Sequence, residues 1–136
     1  MQIYFLVVIT NILSGLVLSG SFLEEKIEGF SSCNALMQRG KFKLVLGIIT
    51  VLTALFTLLL KITPEDVIVL GDLLPALTGG IMGSYLIMSF FYGSLEETRS
   101  WMKSFVDVME DRGHIIGIAA VLVGIIHFLV PSAIIL

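Results

Sequence analysis

Residues Phe42 to Leu60 read FKLVLGIITVLTALFTLLL, with Lys43 as the sole charge. A helix rises about 1.5 Å per residue, and the hydrocarbon of a bilayer is about 30 Å thick. A stretch of this length and apolarity is therefore expected to cross a membrane as a helix. Three further stretches share the property: Ile3 to Leu23, Leu73 to Gly93 and Gly113 to Val130, none of which contains Lys, Arg, Asp or Glu. Barrel strands would alternate apolar and polar residues at period two. These runs are continuous, and a helix satisfies its own backbone in lipid. The expected fold class is an all-α integral membrane protein with four transmembrane helices.

Composition agrees. Of 136 residues, 57% are hydrophobic and 14% charged, whereas soluble domains run near 45–50% and about 25%. A short chain cannot hide that excess from water, so lipid is the expected partner of much of the surface. A net charge of -3 without a basic cluster argues against phosphate neutralisation, so no nucleic-acid partner is expected. The single Cys33 excludes a disulfide or a cysteine metal cluster within one chain. Met1-Gln2 leads straight into apolar sequence, without a basic region before it or an A-x-A-like site after it. The first span is therefore expected to be retained, in a prokaryotic plasma membrane.

The links carry the charge. Thr63-Pro64-Glu65-Asp66 supplies a cap, a first-turn proline and first-turn acids. Such a start predicts a short interfacial helix over 64–70. Asp72 then caps the third span or forms an acid at its outer mouth. In the link 24–41, with Leu23 just before it, Leu23, Ile27, Phe30 and Met37 recur near helical spacing, although Gly29-Phe30-Ser31-Ser32 weakens the pattern. In the link 94–112, Met102, Phe105, Val106 and Met109 do the same. Each link is expected to hold an amphipathic helix on the membrane surface. Seven of the eight basic residues lie in or beside these two links, which predicts cytoplasmic links and outward termini.

The halves resemble each other. Leu23-Glu24-Glu25 is echoed by Leu95-Glu96-Glu97, and Met37-Gln38-Arg39-Gly40 by Met109-Glu110-Asp111-Arg112-Gly113 with one insertion. Gly47, Thr50, Ala54 and Thr57 have the spacing of Gly117, Ala120, Gly124 and His127. Thr10 and Gly15 correspond less securely to Thr78 and Gly83. The expected organisation is a parallel tandem repeat: repeat 1 over 1–62, an outer linker over 63–72, and repeat 2 over 73–136. The two matched stripes lie on one helical face each and are expected to face one another inside the bundle. Gly79-x-x-x-Gly83 and Gly15-x-x-x-Ser19 are further close-approach patterns.

Few side chains offer chemistry. Asn11, Thr50, Thr53, Thr57, Thr78 and His127 are the polar groups at membrane depth, read as packing contacts or as the lining of a path. His114 and His127 lie thirteen residues apart on one helix, so they cannot ligate one haem together. Haem would need methionine or a second subunit. Trp101 with Phe105 reads as an interfacial anchor. No catalytic, cofactor or metal motif stands out, and no enzyme is expected. The duplicated-hairpin outline resembles that of V-type proton-ring subunits, but those carry a mid-span carboxylate, and no Glu or Asp lies in a span here. The expected function is a small non-catalytic membrane subunit or scaffold, as a homo-oligomer or within a larger membrane complex. The alternative is a small channel or facilitator.

Overall fold

The structure is a computed structural model that describes residues 2–60, 73–92 and 99–130. These residues form seven helices and no strand: α1 Gln2–Leu18, α2 Gly20–Lys26, α3 Phe30–Met37, α4 Gly40–Leu60, α5 Leu73–Tyr92, α6 Ser100–Asp111 and α7 Gly113–Leu129. The interfacial helix expected over 64–70, and Asp72, lie outside the described residues.

By length and composition, α4 and α5 are each sufficient to cross a membrane, and up to four spans result if the bent pairs α1–α2 and α6–α7 each count as one. Their outward faces are apolar: Val45, Leu52, Phe56, Leu59, Leu77, Ile81, Leu122 and Phe128 are all exposed. Contiguous apolar surface on this scale suits lipid and not water. The fold is thus helical and compatible with a membrane.

The first apolar run does not continue as one helix to Leu23. It bends by 71° between α1 and α2. The break falls at Ser19-Gly20, and a Gly/Ser pair is a recognised kink site. Ser19 Oγ donates to the Gly15 carbonyl at 2.8 Å. The carbonyls at the end of α1 have no continuing helix to bond with. Gln38 Nε2 on α3 supplies one donor, to the Val17 carbonyl at 2.9 Å. The first link therefore begins at residue 20, and it holds two short helices. They are separated at Gly29, whose φ of 85° lies in the left-handed region that glycine adopts without steric cost.

The second link helix, α6, buries Val106 and Met109 and packs on α5. It meets α7 at 77°, with the turn at Arg112 and Gly113. A Cβ on Gly113 would approach the Leu18 carbonyl to 3.0 Å, so the bare backbone lets the start of α7 abut the end of α1.

The long helices pack as two intimate pairs, α1 with α7 and α4 with α5, and α1 also contacts α4 and α5. This corrects the expectation that the stripes on the second and fourth spans face one another. The α4 stripe meets α5: a Cβ on Gly47 would lie 3.0 Å from the Gly83 carbonyl, and one on Gly83 2.9 Å from the Gly47 carbonyl. The α7 stripe meets α1: Gly117 and Gly15 bear the same reciprocal relation at 2.6 Å. The cause is steric. Each pair sets a glycine against a glycine, and small residues allow backbones to approach.

Candidate functional site

Three regions could carry function: a polar clamp among the long helices, an apolar groove on their outer face, and a polar cavity at the end that bears the links.

The clamp centres on Asn11. Its Nδ2 donates to the Val7 carbonyl of its own helix and to the Pro75 carbonyl of α5, both at 3.0 Å. Its Oδ1 accepts from Thr78 Oγ1 at 2.9 Å. The Leu74 and Pro75 carbonyls also lie 3.0 Å from Thr78 Oγ1 and compete for its one proton. Asn11 is 1% exposed, so the amide ties α1 to the first turn of α5 in an environment without water. Thr50 stands close by, across Gly79. A Cβ on Gly79 would lie 3.5 Å from Asn11 Nδ2 and 3.6 Å from Thr50 Cγ2.

The other singled-out residues are buried but turn elsewhere. Thr50 donates to the Leu46 carbonyl at 2.7 Å, Thr53 to Ile49 at 2.7 Å and Thr57 to Thr53 at 2.8 Å. Each hydroxyl thus folds back on its own helix. His127 is 2% exposed, with its ring 4.8 Å from that of Tyr4. Tyr4 Oη donates to the His127 carbonyl and, at 3.1 Å, to that of Phe128. The six residues therefore divide into Asn11, Thr78 and Thr50 at one junction, His127 against Tyr4, and Thr53 and Thr57 along α4.

The groove lies between α4, α5 and α6 and encloses about 560 Å³. Ala76, Gly80 and Ser84 form its floor, Val51, Leu55 and Leu58 one wall, and Trp101 and Phe105 of α6 close one end. A Cβ on Gly80 would meet nothing within 4 Å, in contrast with Gly83 one turn away.

The polar cavity, of about 330 Å³, is lined by Val17 and Leu18 of α1, Ser21, Asn34 and Gln38 of the first link, Lys43 of α4, Tyr85 of α5 and Glu110 of α6. Gln38 Nε2 donates to Asn34 Oδ1 at 3.1 Å, and Asn34 Nδ2 to Glu24 Oε2 at 2.6 Å. Asn34 fits because Gly20 leaves room: a Cβ there would collide with Asn34 Oδ1. Tyr85 Oη donates to Glu110 Oε1 at 3.5 Å. Sequence reasoning missed this cavity. Lys43 reads there as a residue near a span end, Glu110 as the polar face of a link helix, and Tyr85 as part of an uncharged span. One available signal was the alignment of Gln38 with Glu110, which both line the cavity, one from each link.

Among the described residues no group of three or more His, Cys, Asp or Glu could hold a metal ion. A family model to which no function is attached matches residues 1–127. The chain belongs to that family. No curated protein and no solved structure matches the chain.

Proposed function

We propose that this protein is a small, non-catalytic integral membrane subunit that packs against the helices of a partner. The observation that carries the reading is the fate of its polar side chains at membrane depth. Asn11 and Thr78 bond to each other and to backbone carbonyls, and Thr50, Thr53 and Thr57 bond to their own helix. Such groups serve helix packing and leave few hydroxyls to replace the hydration shell of a solute.

The reading includes four spans in two tandem units, with link helices that lie amphipathically on the cytoplasmic surface. Duplication is supported by the equivalence of two contacts. Gly15 meets Gly117 and Val121, and Gly83 meets Gly47 and Val51, in the same geometry. A pseudo-twofold along the membrane normal relates such pairs. The groove supplies the face for a partner helix. Its floor carries Ala76, Gly80 and Ser84 four residues apart, a spacing that admits close backbone approach, and Gly80 is open. A lipid chain needs no such floor.

The test is purification of the tagged chain from native membranes, alongside Gly80→Leu. The expected result is a stoichiometric membrane partner with the native chain and its loss with the variant. A monodisperse homo-oligomer indifferent to Gly80→Leu overturns the reading.

A channel or facilitator is the second reading, favoured by the burial of each of Asn11, Thr50, Thr57 and His127 within the long helices. Flux into liposomes tests it. A flux unchanged by Thr57→Leu with His127→Leu removes that path.

A further inference from the structure

The cavity at the link end presents one cation and one anion that are not in direct contact. Lys43 and Glu110 line the same space, yet among the described residues neither makes an ion pair within 4.0 Å. Lys43 stands one turn into α4, held half-buried, and Glu110 reaches in from α6. Tyr85, 4% exposed, donates to Glu110 Oε1 at 3.5 Å, a long contact on the cavity side of the carboxylate. Asn34 and Gln38 of the same lining are braced by bonds to each other, to Glu24 and to the Val17 carbonyl, so that part of the cavity is preorganised. Opposite charges that face one cavity without touching leave room for a molecule with both signs.

We propose that this cavity binds a zwitterion, whose anionic group lies on Lys43 and whose primary ammonium lies on Glu110. About 330 Å³ is at the small end of ligand pockets, the size of an aminoalkyl phosphate or an amino acid. A purely anionic or cationic ligand would engage only one of the two groups, whereas a zwitterion engages both. Charge-assisted hydrogen bonds to both groups supply the affinity. The level of the cavity favours a lipid headgroup of this chemistry, because Lys43 sits where a span meets the surface. A free zwitterion from solution has the same recognition chemistry. The inference is independent of the partner-helix reading, which concerns the opposite, apolar face of α5.

The experiment has two arms, both on the full chain. In the first, native mass spectrometry follows lipid retention in nanodiscs of equal phosphatidylethanolamine, phosphatidylcholine and phosphatidylglycerol. The expected result is preferential retention of phosphatidylethanolamine, reduced about tenfold by Lys43→Met and by Glu110→Gln, as loss of one charged hydrogen bond implies. Phosphatidylcholine shares the charges, but its quaternary ammonium cannot donate to Glu110. Glu110→Lys should transfer the preference to phosphatidylglycerol. In the second arm, delipidated protein is titrated with glycerophosphoethanolamine and with β-alanine. Variant-sensitive binding in this arm without lipid preference in the first assigns the site to a soluble zwitterion. Should Lys43→Met fail to fold, Glu110→Gln decides, since Glu110 lies on the exposed side of α6. No selectivity in either arm, or selectivity untouched by the substitutions, overturns the proposal.

Discussion

Gly15 and Gly117 approach so closely across α1 and α7 that a methyl group on either would lie 2.6 Å from the other's carbonyl oxygen. The obstacle is backbone, which cannot rotate away as a side chain can. Gly15→Ala and Gly117→Ala are each expected to destabilise the protein by about 1–3 kcal/mol, the cost of forced overpacking. Gly80→Ala, with open space around it, should instead be neutral or stabilising by up to about 1 kcal/mol through helix propensity. Denaturant unfolding in mixed micelles measures all three. Equal effects at Gly15 and Gly80 would contradict the packing described.

The Asn11–Thr78 bond links α1 to α5 at depth. Polar contacts between membrane helices average about 0.6 kcal/mol and reach about 1.7 kcal/mol. A double-mutant cycle with Asn11→Leu and Thr78→Val should give a coupling energy within that range. Zero coupling would mean that the amide serves only the Val7 and Pro75 carbonyls.

Gln38 holds the bend between α1 and α2 by bonding to the Val17 carbonyl. Gln38→Leu keeps the bulk and removes the donor, at an expected cost of about 1–3 kcal/mol for a carbonyl left unsatisfied. Hydrogen exchange should quicken through residues 20–26 more than through α4. A uniform change along the chain would count against a local role.

Cys33 is the chain's one thiol and is exposed on α3. A membrane-impermeant maleimide should leave it unlabelled in intact cells and label it after permeabilisation, as cytoplasmic links require. Labelling of intact cells would reverse the topology.

Leu73 to Gly93 was legible because its length and apolarity leave a helix few alternatives, and α5 runs from Leu73 to Tyr92. Ile3 to Leu23 was only partly legible. Hydropathy ignores geometry, so it ran past Ser19-Gly20, where the chain turns by 71°. The matched stripes were found by spacing, but spacing gives a face and not the neighbour on that face. Gly47 and Gly117 therefore turned out to seek Gly83 and Gly15, not each other. Asn11 was visible as a buried amide, whereas its bond to Pro75 spans 64 residues of sequence.

By itself, the sequence determined that the apolar runs are helical and that lipid suits their outer faces, since both follow from local periodicity and total apolar area. It also named Asn11, Thr78 and His127 as the polar groups that such an environment must accommodate. Only the tertiary structure decided how the helices pair and that Lys43, Tyr85 and Glu110 share one cavity. Those residues sit on three different helices, and no local pattern encodes a meeting of side chains far apart in the chain. The close approach of α4 and α5 at Gly47 and Gly83 brings Lys43 toward Tyr85, and the packing of α6 on α5 adds Glu110.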